Sequence, residues 1–477
     1  MVAQMHNGLS SGKSLPWRAI SLGMRAACLL FCWVLVARAA ELVTYHGSQN
    51  RLDVQADSVP LGRLLENLAV ATGWEIYLEP ETEQKISAKF QNLPVAEALQ
   101  LVLGKLNFAL LPQSNAPPRL FVYRTSVQDA TLIIAPPRSA PASVKAGRPI
   151  PNELLVTLKP DAKEGIDALA RRLGAKVTGR ADNLRTYRLQ FDTADDTQAA
   201  RDQLAADNNV DAVNSNYQMA TPGRMDNLAM SSPGASGLRL NAKTTANGLV
   251  VGLIDSAVQA QGSGLDQFLL PSISVAGKSQ ASDSSPTHGT AMAETILSAI
   301  AKAGDSGSTG VRILPVDVYG PSESTTTFDV AYGIAQAVNS GAKVINLSLG
   351  SDGDSTFMHQ VITDAAKQGG MFIAAAGNVP TTSPSYPAAY PEVIAVTAGS
   401  RNGLASYANR GDFVAAVAPG TSIIGYQDSS YLVTGTSAST ATFTGWLVGR
   451  TDASGKPLTD VKTDLLQAFS PKTLIKP

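Results

Sequence analysis

Cysteine is almost missing. The 477-residue chain has two, Cys28 and Cys32, and both lie in the apolar run AACLLFCWVLVA over 26–37. Once that run is removed on export, no structural disulfide, thiolate metal site or cysteine nucleophile is left. Histidine is nearly as scarce, with His6, His46, His288 and His359 the full set. Charge of one sign is lacking too, since 38 Lys plus Arg stand against 39 Asp plus Glu. No basic excess points to nucleic acid, and no acidic tail points to a basic partner. Long apolar runs are also lacking. The run 26–37 falls short of the ~20 residues a bilayer span needs. It follows Lys13, Arg18 and Arg25 and precedes Ala37-Arg38-Ala39, the pattern of a cleaved signal peptide. Residues 1–40 are expected to direct export, with an uncleaved anchor as the alternative, and neither cysteine sits in a lipoprotein-type context. The signal makes an exported protein, periplasmic or secreted, the expectation; no C-terminal β-barrel or membrane helix pattern is visible, so self-secretion is not expected.

What is present is enough chain for two or three domains. Over 48–125, Leu61, Leu64, Leu65 and Leu68 recur at helical spacing in PLGRLLENLAVATG, and WEIYLEP reads as a strand. KISAKFQN follows as a strand, PVAEALQLVLGKLN as a helix, and FALLPQ with RLFVYRT as a hairpin. The Pro/Ala-rich stretch 126–151 reads as a linker. Residues 152–220 alternate in the order βαββαβ, which suggests a ferredoxin-like sandwich. Residues 221–237 read as a second linker. From 238 to 477 near-continuous apolar strands, among them GLVVGLID, VRILPVDVY, AKVINLSLG, GMFIAAAGN and VIAVTAG, alternate with helices. That pattern implies an α/β domain whose parallel sheet is covered on both faces.

In such a sheet, sites form beyond the carboxyl ends of the strands. Asp255 ends GLVVGLID, where a histidine would be its natural partner. His288 opens THGTAMAETILSAI and is the one histidine placed for that role; Gly289 beside it lets another backbone approach. Asn378 ends FIAAAGN, where an amide can donate to an oxyanion. Ser437 stands in GTSASTATFTG at a helix start, with its own N–H free and the small residues Ala438, Ala441 and Gly445 behind it. Each has a plainer reading, as a turn cap, an exposed histidine, a turn asparagine and an N-cap serine. Their order Asp, His, Asn, Ser along one sheet is the stronger signal.

Residues 238–450 resemble a subtilisin-like serine protease, or subtilase. VVGLIDS, THGTAMAETI, VINLSLGS, IAAAGN with YPAAYPEVIAVTA, and GTSAS carry the resemblance, together with LASYANRGDFVAAVAPG. It implies a triad of Asp255, His288 and Ser437, with Asn378 as oxyanion donor. It further implies that Ser348-Leu349-Gly350 pairs with an extended substrate and that Ala374, Ala375, Ala376 and Gly377 border the specificity pocket. The implied reaction is peptide hydrolysis through an acyl-enzyme. Residues 152–220 are similar to a subtilase propeptide, which implies a zymogen cut within about 218–237. Residues 48–125 resemble the short N-terminal domain of secretins and TonB-dependent receptors, which implies a Gram-negative envelope protein able to dock on an outer-membrane partner.

The chain departs from the family at Ala257, Glu294, Ala441 and Thr442. Glu294 would place a charge behind the site, and the alternative reading is an inert or solely self-cleaving envelope module. No cofactor is expected. Structural calcium would need six or more oxygen ligands, and the nearest acidic loop, with Asp352 and Asp354, lacks the spacing.

Overall fold

Strands that are apolar at every position require cover on both faces, and the C-terminal half of the chain is built that way. The structure is a computed structural model describing residues 42–474, apart from 48, 81, 83, 112–116, 126–129, 131, 135–146, 221–223, 229–237, 239, 245–247, 263, 280–284, 305–306, 402, 406 and 428. The expected signal, 1–40, lies outside the described residues. Across the eight-stranded sheet the order is Ile273–Ser274, Arg312–Asp317, Val250–Asp255, Val344–Leu347, Met371–Ala375 and Val393–Ser400. Ala416–Ala418 pairs parallel and Gly403–Leu404 antiparallel with the last of these.

Alternation along each strand decides which helices it meets. Val251 and Leu253 point into a core shared with helices His288–Ala303 and Thr436–Ser454. Ile254 and Val316 face the opposite core, closed by Thr327–Asn339 and Thr356–Lys367. On the first face the two helices touch through glycine. A Cβ on Gly445 would lie 2.4 Å from the Ile296 carbonyl oxygen, and one on Gly449 3.0 Å from the Ile300 Cα. Both contacts lie at matching sequence distances from Ser437 and His288. The helices therefore run parallel and begin level with each other.

The smaller of two compact units holds Leu42–His46, Arg51–Pro60 and Lys85–Pro94 as an antiparallel sheet, with helices Leu61–Thr72 and Val95–Leu103. The rest of 48–125 belongs to the larger unit. There Asn107–Leu111, Arg119–Tyr123, Glu75–Leu78 and Leu132–Ile133 form a four-stranded sheet. Residues 48–125, expected to be one domain, are thus shared between two. The cause is a stacked pair, Tyr77 on Phe121 at 4.8 Å between ring centroids, buried against Leu432 of the large domain.

The βαββαβ order over 149–220 is present, with the sheet ordered Val210–Ala220, Pro149–Leu158, Thr186–Gln190 and Lys176–Ala181. Its last strand continues onto the large domain, where Gln218, Met219 and Ala220 pair with Thr326, Thr325 and Ser324. Arg188 reaches Asp329 at 3.1 Å. Asn216, fully buried, accepts from the Phe328 N–H and the Thr327 hydroxyl, and donates to Glu153. It thereby satisfies a free donor at the start of helix Thr327–Asn339.

Both expected linkers are shorter than their sequences suggested. Within 126–151, Leu132–Ile133 pairs with Leu78 and Tyr77, and Pro149 already begins a strand. Within 221–237, Arg224–Leu228 pairs antiparallel with Ser429–Thr434. The hairpin edge Ser429–Thr434 would otherwise be open, and Arg224–Leu228 adds a strand to it.

Removing the Asn216 amide leaves the Phe328 N–H and Glu153 without a partner. Asn216→Ala is expected to lower stability by roughly 1–3 kcal/mol, read as a reduced urea midpoint. An unchanged midpoint would mean that water replaces the cap without loss.

Candidate active site

The carboxyl end of strand Val250–Asp255 delivers Asp255 into the interior, where it is 1% exposed. A carboxylate at that depth needs partners. It has the Ser256 N–H at 2.7 Å and the His288 Nδ1 at 2.8 and 2.9 Å from its two oxygens. The Ser256 hydroxyl accepts from the Gly289 N–H at 2.9 Å. This closeness requires glycine, because a Cβ on residue 289 would sit 2.0 Å from the Ser256 carbonyl oxygen.

His288 is the first residue of its helix, whose N-cap is Thr287. Gln259 holds the cap in place, accepting from the Thr287 N–H at 2.7 Å and from the Thr290 hydroxyl at 3.0 Å. With Nδ1–H committed to the carboxylate, the ring keeps a lone pair on Nε2. Nε2 is buried and has no hydrogen-bond partner among the described residues. A buried unpaired acceptor is costly, and here it is the one ring atom able to take a proton.

Ser437 is the second residue of helix Thr436–Ser454 and is fully buried. Its hydroxyl donates to the Ser348 carbonyl at 3.2 Å. Its N–H belongs to the first turn, where no intrahelical acceptor exists. Asn378 follows the strand Met371–Ala375 at the exposed rim. Its Oδ1 accepts from the Thr436 N–H at 2.8 Å and from the Thr436 hydroxyl at 3.0 Å. Nδ2 is left as the donor. Gly435, at φ 144°, makes room for this amide, since a Cβ there would meet Nδ2 at 3.1 Å.

Two of these supports escaped the sequence reading. The Thr436 hydroxyl also accepts from the Gly377 N–H, so one side chain sets both the amide and the turn behind it. Asn346, fully buried in Val344–Leu347, accepts from Thr444 of the serine helix and donates to the Ser348 hydroxyl, which donates to the Ser437 carbonyl. Its signal was a lone amide in the otherwise apolar VINL.

The remaining expected residues lie around this centre. Ser348, Leu349 and Gly350 come just after strand Val344–Leu347 rather than within it. Ala374 and Ala375 end the neighbouring strand, and Ala376 is fully buried beyond it. Of the departures, Ala257 offers its carbonyl to the Thr287 hydroxyl, and Ala441 lies in the core between the two helices. Glu294 does not bring a full charge. It is 6% exposed, and burial raises its pKa to about 7 against the pull of the Gly425 N–H and Gln261. Among the described residues, no three His, Cys, Asp or Glu side chains converge as metal ligands. Nor is any described helix long and apolar enough to cross a membrane.

A family model described as the subtilase family matches residues 246–453, and one described as the fervidolysin N-terminal prodomain matches residues 135–216. Thermitase of Thermoactinomyces vulgaris is 35% identical over 190 residues, covering 38% of this chain and 67% of thermitase. Subtilisin Savinase of Lederbergia lenta is 31% identical over 210 residues, covering 42% of this chain and 75% of Savinase. A thermophilic serine proteinase of Bacillus sp. (strain AK1) is 39% identical over 138 residues, and the chain spans 34% of its length. The crystal structure of fervidolysin from Fervidobacterium pennivorans aligns with a TM-score of 0.49 at 19% identity, covering 67% of this chain and 56% of that one.

The Glu294 carboxyl generates a pH dependence. Unfolded, it loses its proton near 4.5; folded, near 7. The stability that goes with the neutral form is full below about 4.5 and is lost as pH rises through about 7. Glu294→Gln should abolish that loss and gain on wild type by on the order of 3 kcal/mol above neutrality. Urea midpoints across pH measure it, and parallel curves would mean that the carboxylate is solvated.

Proposed function

The chain belongs to the subtilase family of serine peptidases, and we propose that it is an exported endopeptidase made as a self-processing zymogen. The observation that carries this reading is the His288 ring, fixed by Asp255 on one side and left on the other with a buried Nε2 that has no hydrogen-bond partner among the described residues. It heads a helix that starts level with the helix of Ser437.

In the proposed reaction the Ser437 hydroxyl turns from the Ser348 carbonyl to Nε2 of His288. Oγ attacks the peptide carbonyl while Nε2 takes its proton, and the imidazolium formed is stabilised by Asp255. Asn378 Nδ2 and the Ser437 N–H donate to the oxyanion. His288 then passes the proton to the leaving amine, and water hydrolyses the acyl-enzyme by the same route. Ser348, Leu349 and Gly350 offer backbone groups to an extended substrate, and Ala374, Ala375, Ala376 and Gly377 leave space for one of its side chains. Nucleophile, base and oxyanion donors are all protein groups, so the chemistry calls for no cofactor or metal.

The prodomain supports the zymogen reading. Its last strand pairs with Ser324–Thr326, and Arg224–Leu228 pairs along Ser429–Thr434 up to Thr434, just before the nucleophile's turn. The bonds between Ala220 and Arg224 join these two paired segments, and self-processing is proposed to fall there.

Mass measured over time tests this on wild type beside Ser437→Ala. Wild type is expected to divide between 220 and 224 while Ser437→Ala stays whole. Two whole chains, together with failure of Ser437 to react with a fluorophosphonate, would favour an inert module. In the processed enzyme, Asn378→Ala is expected to lower kcat ~10²–10³-fold with little change in KM. A loss confined to KM would assign the amide to substrate binding instead.

A further inference from the structure

Two parts of the chain ahead of the proposed cut grip the protease domain. The prodomain is one. The other is the four-stranded sheet that contains Glu75–Leu78, Arg119–Tyr123 and Leu132–Ile133. Its stacked Tyr77 and Phe121 are 2% and 1% exposed and share a closed core with Leu432, flanked by Ile423 and Ile133. Ile133 also packs on a second small core of Ala398, Ala405, Tyr407 and Ala408. Leu432 and Ile423 belong to the hairpin of Thr421–Tyr426 and Ser429–Thr434, which leads directly into Gly435 and the serine helix. Two aromatic rings buried against that hairpin are an interface of their own, separate from the prodomain strand on Ser324–Thr326.

We infer that this sheet is a second anchor, which keeps the processed N-terminal fragment on the protease after the bond behind the prodomain is cut. The inference rests on the zymogen reading above. Sheet and prodomain lie on the same side of the cut and are joined through residues 135–146. A prodomain that lets go of Ser324–Thr326 therefore stays tethered, at an effective concentration on the mM order. Its return is unimolecular and competes with any dilute substrate. One cut leaves the enzyme occupied by its own fragment, and free enzyme requires the sheet to leave or the tether to be severed. The surface of the hairpin around Leu432, Ile423 and Tyr407 is thus a receptor for an apolar, aromatic partner, and that partner is the chain's own N-terminal sheet.

The test uses the full chain carrying Ser437→Ala, so that its outcome is independent of catalysis. Recognition sequences for two unrelated processing proteases are inserted, one between Ala220 and Arg224 and one within 135–146. After the first cut alone, the N-terminal fragment is expected to co-elute with the protease domain on size exclusion. After both cuts, the prodomain piece is expected to dissociate ~10²-fold faster. Tyr77→Ala combined with Phe121→Ala should give a similar acceleration after the first cut alone. Equal dissociation rates with the 135–146 tether intact and severed would overturn the second anchor, as would loss of the whole fragment at the first cut. Failure of wild type to process itself would count against the zymogen reading and leave this result standing.

Discussion

The placement of the site depends on the seam where the serine helix lies on the histidine helix. At Gly445 there is no room for even a methyl group against Ile296 and Ala299. Two helices held at backbone contact cannot slide by a turn, so their first residues, His288 and Thr436 with Ser437, are fixed in height relative to each other. The sheet beneath fixes the rest. Val250–Asp255 and Val344–Leu347 are paired neighbours, which sets Asp255 and the Ser348 carbonyl at the same end of the sheet. Chemistry that depends on sub-ångström placement is supported by packing that tolerates no slack.

Much of this was legible in the sequence because chemistry and strand ends coincide. A carboxylate closing GLVVGLID has few ways to be satisfied, and only one histidine begins a helix within the same domain. The less legible parts are those where a residue's partner is set by tertiary placement. Thr436 reads as a small turn residue, yet its hydroxyl joins Gly377 to Asn378. Glu294 reads as a charge, and burial turns it into a group that is only partly ionised at neutral pH. Arg224–Leu228 has no strand-like composition, and it pairs because the edge of Ser429–Thr434 lies within reach.

Domain limits were hardest for the same reason. The pattern gives Glu75–Leu78, Lys85–Pro94, Asn107–Leu111 and Arg119–Tyr123 as strands and misses Arg51–Pro60, and the pattern of Tyr77 or Phe121 is the same whichever surface covers it. Leu432, more than 300 positions along the sequence, provides that cover. Hydrophobic pattern specifies that a face is buried, and long-range topology specifies against what.

Asn216 ties the prodomain to the helix it caps. In the intact chain its amide completes the first turn of helix Thr327–Asn339, the element that follows the prodomain-paired strand Ser324–Thr326. Were the prodomain released, as the proposed zymogen requires, that first turn would return to water, and the protease domain alone would hold one buried cap fewer than the intact chain.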